Sequence, residues 1–245
     1  MKKIISFSLW CQDNPLDGYK YQTHNMYCNG AIQNLKIQKE TNIFKDWKLR
    51  FYLNNTVPKD VQDKILKLGG EIIDMSDSKI PGMYWRFLPF NDDNVDIFIV
   101  RDTDSRINLR DYNAVKAWLD SDKIMHVMRD HPHHKYKILG GMWGFKNYME
   151  KFNILKPLDF FLSKRNYHFT RMDDMKFLDY IYDIFHENNR VLEHDQFFKY
   201  KYSQPFPDNS FNNTYYSYVG EIHDEYNKKP YIKRDTKLFE NFNKN

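Results

Sequence analysis

Apolar and polar residues alternate along residues 3–10, where Ile5, Phe7 and Leu9 fall on every second position and predict a first strand. Residues 12–24 turn polar through Pro15 and Gly18, which predicts a loop. Met26, Ala31, Ile32 and Leu35 are spaced as one face of a helix over 25–41. Alternation returns at 47–53 through Leu49 and Phe51, a second strand. Pro58 suits the first turn of a helix whose buried face is Val61, Ile65 and Leu68, and Gly69-Gly70 ends it. A third strand is expected over Glu71–Asp74, a short helix over 83–90 and a fully buried strand from Val95 to Val100. Asn108 can cap a helix with Leu109, Val115, Trp118 and Leu119 on its apolar face, and Asp111 at its third position favours the same start through the helix dipole. Residues 123–128 predict another strand, and 172–186 a helix through Phe177, Leu178, Ile181 and Phe185. The segment from Glu193 to Phe198 is expected to start a further helix. Beyond Pro205 the chain is rich in Asn, Tyr and Pro with little period, so it should wrap the domain. Strands alternating with helices through the first half argue for a wound, mainly parallel α/β sheet.

The length of 245 residues suits one sizeable α/β domain, or one domain with an appendage. Hydrophobic residues make up 41 % of the chain and aromatics 17 %, which supports a packed core and excludes a disordered chain. The 37 Lys and Arg are interspersed with 33 Asp and Glu, net charge +4, so no basic block marks a nucleic-acid partner. The first ten residues lack the length of a signal-peptide apolar region. No apolar run reaches the ~18 residues of a membrane span. Cys11 and Cys28 are expected as free thiols in a reducing compartment, a disulfide between them being the alternative.

Chemistry concentrates where the Val95–Val100 strand runs into Asp102-Thr103-Asp104. Two carboxylates two residues apart at the mouth of a sheet make a hard oxygen site suited to Mg²⁺ or Mn²⁺ bridging to a diphosphate. The bland alternative is a turn with ordinary surface carboxylates, which is how the second copy, Asp120-Ser121-Asp122, reads. Arg101 and Arg106 flank the first copy as cations suited to a phosphate-bearing ligand. Arg129-Asp130-His131-Pro132-His133-His134 lacks helical ligand spacing and a cysteine, so it predicts a polar loop lining the site rather than a zinc centre. Gly140, Gly141 and Gly144 within an apolar run predict close backbone approach, to a ligand or to another strand. Trp143, Tyr215, Tyr216 and Tyr218 are candidates for sugar stacking, and equally for ordinary core.

Taken in order, Tyr84-Trp85-Arg86, the strand with Asp102-Thr103-Asp104, Gly140-Gly141-Met142-Trp143-Gly144 and His194-Asp195-Gln196 resemble metal-dependent glycosyltransferases of the GT-A fold, including bacterial and large-DNA-virus surface-glycan transferases. The resemblance spans about residues 1–200. It implies a single GT-A-like α/β domain over 1–245, with a Rossmann-like sheet and an irregular C-terminal segment. Residues 1–105 would be its nucleotide-binding half and 106–245 its sugar- and acceptor-binding half. It implies a nucleotide-sugar donor, UDP-sugars favoured, held with Mn²⁺ or Mg²⁺. Ser8 and Trp10 would meet the base or ribose, and Arg86 the ribose or diphosphate. Asp102 would face the ribose, the sugar or the metal through water; Thr103 lies between it and Asp104, which would bind the metal directly. Gly140 and Gly141 would admit the donor sugar, and Asp195 and Gln196 would lie near the anomeric carbon and the acceptor. His223 is the candidate third metal ligand, with a surface loop histidine as its alternative. The acceptor would be a glycan or protein hydroxyl, with no nucleic acid and no membrane span, in the cytoplasm (the host's, for a viral protein).

The chemistry asks for the same inventory. Breaking the bond from an anomeric carbon to a diphosphate develops negative charge on the leaving group, which a cation stabilises. The sugar becomes oxocarbenium-like, and the acceptor loses a proton. Asp195 is a candidate base for inversion; with retention Gln196 faces the sugar, and the Asp-Gln pair leans the reading to retention. A nucleotidyltransferase is the first alternative. It would normally carry a glycine-rich, basic loop after the first strand, whereas residues 10–24 have only Gly18 and Lys20. A metal-dependent phosphoesterase and a non-catalytic sugar- or protein-binding domain are the others.

Overall fold

Strands that are apolar on both faces need cover on both sides. A computed structural model describes residues 1–11, 24–164, 173–207 and 217–242. Its elements are β1 (Lys3–Leu9), α1 (His24–Thr41), β2 (Lys48–Leu53), α2 (Lys59–Lys67), β3 (Glu71–Asp74), α3 (Gly82–Trp85), a 3₁₀ turn (Leu88–Asn91), β4 (Ile97–Val100), α4 (Leu109–Leu119), β5 (Met125–Arg129), β6 (Trp143–Lys146), α5 (Leu155–Ser163), α6 (Asp173–His186), β7 (Val191–Asp195), β8 (Ser203–Gln204) and α7 (Ile232–Phe242). The loop expected over 12–24 lies, but for residue 24, outside the described residues, as do Tyr215 and Tyr216.

The strands form one sheet in the order β3-β2-β1-β4-β6-β5-β7-β8. All pairs are parallel except those of β6, which runs antiparallel to β4 and β5. The two-residue period of β4 sends Ile97 and Ile99 to one face and Phe98 and Val100 to the other. On the first face they join Ile5, Phe7 and Leu9 under Ala31 and Leu35 of α1, Ile65 of α2 and Trp118 of α4. On the second they join Met125, Val127, Trp143 and Phe145 under Tyr84 of α3, Leu158 of α5 and Phe177, Leu178 and Ile181 of α6. The result is a three-layer α/β arrangement with the sheet in the middle.

Asn108 caps α4 as its sequence predicts, its side chain accepting from the Asp111 backbone N–H at 2.8 Å. Asn108→Ala is expected to lower stability in urea unfolding by about 1 kcal/mol. Asp111 does more than favour the helix dipole. It is buried and takes Arg101 as a two-pronged ion pair, Nε to Oδ2 at 2.9 Å and Nη2 to Oδ1 at 2.7 Å.

The helix expected from Glu193 is a strand instead. Glu193, His194 and Asp195 are the last three residues of β7. Their polarity disguises a buried strand, because each is buried with a partner: Arg129 for Glu193 and Asp195, His126 for His194. The segment beyond Pro205 does carry one regular element, α7. Cys11 and Cys28 are free thiols with sulfurs 3.9 Å apart. No helix among the described residues is long and apolar enough to cross a membrane.

Candidate active site

The chain places β2 and β3 on one side of β1, then returns to lay β4 on the other. That reversal opens a crevice beyond the carboxyl ends of β1 and β4, the place where open α/β sheets bind ligands. Trp10 leaves β1 there, and Asp102-Thr103-Asp104 leaves β4 there. Because β6 is antiparallel, its entry segment Gly140-Gly141-Met142 reaches the same edge. Topology thus gathers three of the sequence motifs in one place.

Arg86 ties them together. Its backbone is gripped by β1: Ser6 Oγ donates to the Arg86 carbonyl at 2.8 Å, and Ser8 Oγ accepts from the Arg86 N–H at 2.9 Å. Ser8 therefore orients Arg86. The Arg86 guanidinium lies between two carboxylates, pairing with Asp102 through Nη1 and with Asp174 Oδ2 through Nη2 at 2.8 Å. The Asp102 side chain stays 44 % exposed to the crevice, while Asp174 at the start of α6 is 7 % exposed. Burial pushes the Asp174 carboxyl up, against the pull of Arg86. A Cβ on Gly140 would meet Arg86 Nη2 at 2.5 Å and Asp174 Oδ2 at 2.8 Å. One on Gly141 would meet Asp102 Oδ2 at 2.1 Å and its backbone nitrogen at 2.8 Å. Only glycines let this segment lie on the acid–arginine–acid row. Trp10 stands edge-on to Trp85, ring centroids 6.0 Å apart, and packs against Gly82.

The loop that carries Thr103 and Asp104 rests on α1. A Cβ on Gly30 would fall 1.7 Å from the Thr103 carbonyl oxygen, so backbone meets backbone there. One turn on, buried Asn34 donates to the Ser105 carbonyl at 2.9 Å and accepts from the Ile107 N–H at 2.9 Å. Arg106 closes the loop from beneath, donating to the Thr103 and Ser105 carbonyls and, through Nε, to Asn227 at 2.9 Å. Arg101 is bound to Asp111 and to the Val100 and Trp143 carbonyls. The two arginines expected to face a phosphate are thus buried braces of the fold: Arg101 bonds through Nε and both terminal nitrogens, and Arg106 through Nε and Nη1, its Nη2 being buried without a hydrogen-bond partner among the described residues.

His223 reaches Asp104 by a route the sequence hides. The C-terminal segment crosses the site edge through a bridge between Ser105 and Ile222. The His223 N–H then donates to the Asp104 carbonyl at 2.9 Å. Its Nδ1 lies 3.1 Å from the Glu221 carbonyl, and burial with Arg106 nearby lowers its pKa to about 4. The ring is therefore neutral at pH 7, the form that binds metals. Among the described residues no three His, Cys, Asp or Glu side chains are gathered as a metal centre. Asp102, Asp104 and His223 would hold a hard divalent cation only with a ligand such as a diphosphate supplying further oxygens.

Asp195 and Gln196 sit at the carboxyl end of β7, further along the same edge. Three donors converge on Asp195: Arg129 Nε at 2.9 Å, and the Phe197 and Phe198 N–H groups at 2.9 and 2.8 Å. Asp195 is a brace between β5 and β7, and this engagement argues against the free base expected of it. Gln196 is half-buried and accepts from Arg110 at 3.1 Å. His131 of the histidine loop packs inward rather than lining the crevice, while His133 is exposed. His131 lies against Tyr218 and Phe239 and is 3.3 Å from Asp235 of α7. Trp143 is fully buried and Tyr218 nearly so, so both are core rather than stacking platforms. Asp174, Gly30 and Asn34 carry no motif; an acid opening a helix, a glycine inside one and an asparagine one turn later read as ordinary helix residues.

No family profile and no curated protein matches the chain. Solved structures are similar to it at low identity. The 4-diphosphocytidyl-2C-methyl-D-erythritol synthase of Anaerococcus prevotii is 10 % identical, with 78 % of this chain and 89 % of that chain covered and a TM-score of 0.42. A CMP:2-keto-3-deoxy-manno-octonic acid synthetase complexed with CTP is 12 % identical, covering 80 % and 90 %, TM-score 0.43. An active-site variant of LgtC is 12 % identical, covering 79 % and 73 %, TM-score 0.45. The observed sheet is the wound, mainly parallel α/β architecture that the alternating strands and helices of the sequence predict.

Proposed function

We propose that this chain is a metal-dependent glycosyltransferase that moves a sugar from a nucleoside-diphosphate sugar, with UDP-sugars as the favoured donors, to a hydroxyl of a glycan or protein. The observation that carries the reading is the crevice between β1 and β4, where Arg86 joins Asp102 to Asp174 beneath two glycines that admit no side chain, with Asp104 two residues further along the same loop. The base and ribose lie along Trp10 at the end of β1. The diphosphate lies over the Asp102–Asp104 loop, with His223 beside Asp104. A divalent cation bound there offsets the charge that develops on the leaving diphosphate. Arg86, held between Asp102 and Asp174, orients Asp102 towards the diphosphate side of the crevice. The sugar extends past Gly140 and Gly141 towards Gln196.

The nature of the released product tests this. Incubated with Mn²⁺ and a panel of UDP-, GDP-, CDP- and TDP-sugars, the protein should release the nucleoside diphosphate from one of them and transfer or hydrolyse the sugar. Release of pyrophosphate from a nucleoside triphosphate and a sugar phosphate would instead make it a nucleotidyltransferase. Gly141→Ala must push Asp102 off its position, because the obstructing atoms include its backbone. It should lower turnover on the order of 100-fold, as small misplacements at reacting centres do. Unfolding curves should show that the variant remains folded.

A further inference from the structure

Arg110 lies outside every motif that points to sugar transfer, yet it fixes Gln196, the side chain expected to face the sugar with retention. It is the second residue of α4 and is buried. Its guanidinium forms a two-pronged pair with buried Asp130 at the end of β5, Nε to Oδ2 and Nη2 to Oδ1, both at 2.8 Å. Its flat face lies on Phe206, 4.2 Å from the ring centroid. Asp130 also accepts from the Val219 N–H at 2.9 Å, so the pair is held from α4, β5 and the C-terminal segment together. From this fixed position Nη2 donates to Gln196 Oε1 at 3.1 Å. An arginine only donates, so the amide oxygen must face it and the NH₂ group must face away. Among the described residues none accepts from Gln196 Nε2.

We infer that Arg110 is a positioning residue that locks the Gln196 amide with its nitrogen towards the sugar site, so that Gln196 serves as a hydrogen-bond donor to a hydroxyl oxygen of the bound sugar. The inference rests on the sugar-transfer reading for its ligand, but the orientation of the amide is a property of the protein alone. It is the opposite of a role in which the amide oxygen would stabilise the electron-poor anomeric carbon. An oxygen already committed to a cation is a poor donor of electron density. A pair of N–H groups, by contrast, selects an oxygen lone pair.

Three variants separate the two roles, with release of UDP from UDP-glucose and UDP-galactose under Mn²⁺ as the readout. Gln196→Glu keeps an oxygen for Arg110 and removes the N–H groups; Gln196→Met removes both. If Gln196 donates, both variants lose kcat by a similar factor of about 100, the usual size for one directed donor, and Gln196→Glu keeps the wild-type melting temperature. If Gln196→Glu retains or raises kcat while Gln196→Met loses it, the oxygen faces the sugar and the inference is wrong. Arg110→Met frees the amide to turn, so its loss of kcat should not add to that of Gln196→Met in the double variant. Additive losses would reduce Arg110 to a structural brace and overturn the positioning role. The amide itself provides a readout independent of catalysis. The Gln196 NH₂ proton resonances, assigned by their disappearance in Gln196→Glu, should exchange with solvent as fast as those of a free amide. Protected NH₂ protons would place the nitrogen against Asp130 and overturn the orientation, even if no tested donor is turned over.

Discussion

Acidification from about pH 7 to about pH 4.5 is expected to destabilise this protein steeply, by about 3 kcal/mol from one histidine alone. His126 and His194 are fully buried on β5 and β7, with Nε2 and Nδ1 2.8 Å apart. Burial holds both neutral. His126 also faces His194, Arg101 and Lys146, which drive it well below its ordinary value, and His194 faces Arg110 and lies at about 4. The unfolded chain takes up protons near pH 6.5, where the folded one refuses them. Stability from this pair is therefore complete above pH 6.5 and is lost as pH falls towards 4. Urea unfolding of the wild type and of His194→Gln at a series of pH values checks this: the variant should show a clearly shallower fall between about pH 6.5 and 4.5. Equal slopes would mean that the pair does not carry the acid sensitivity.

Arg129→Met is expected to cost roughly 3–5 kcal/mol, the range for breaking a buried ion pair from one side. Arg129, Glu193 and Asp195 are all fully buried at the side chain, and the guanidinium joins both carboxylates across β5 and β7. Tyr182 donates its hydroxyl to Glu193 at 2.8 Å, and the Tyr200 ring covers the guanidinium at 4.3 Å. Without the arginine, two carboxylates stay buried with hydrogen-bond donors but no guanidinium between them. Glu193→Gln combined with Arg129→Met should recover part of the loss, because it removes one of those charges. A melting temperature for Arg129→Met equal to the wild type would contradict the assignment of this cluster as the clasp of the sheet's second half.

The first half of the fold is legible because its strands and helices are written in hydrophobic period alone. Ile5, Phe7 and Leu9, the Pro58 helix and the Asn108 cap each declare themselves locally. β7 is not legible that way, since Glu193, His194 and Asp195 are buried through pairing, and hydropathy records no partners. The same blindness affects the site. Asp102 and Asp104 stand out because an apolar strand delivers them, and Gly140 and Gly141 because glycines cluster. Asp174, Arg110, Gly30 and Asn34 come to the site only through tertiary packing, and the same packing diverts flanking Arg101 from ligand to fold and buries Arg106 against its own loop. His223 is intermediate: its residue type suggests a ligand, but only the chain path beside Ser105 explains how it reaches Asp104.

Thermal unfolding of the wild type and of Asp104→Ala, with Mn²⁺ and each nucleotide-sugar in turn, tests the central claim most directly. A donor at ~100 times its dissociation constant adds roughly 2.7 kcal/mol to the folded state. The account predicts that one donor raises the wild-type melting temperature only when Mn²⁺ is present, and that Asp104→Ala shows no rise. Stabilisation that persists in Asp104→Ala, or that ignores the metal, would contradict it.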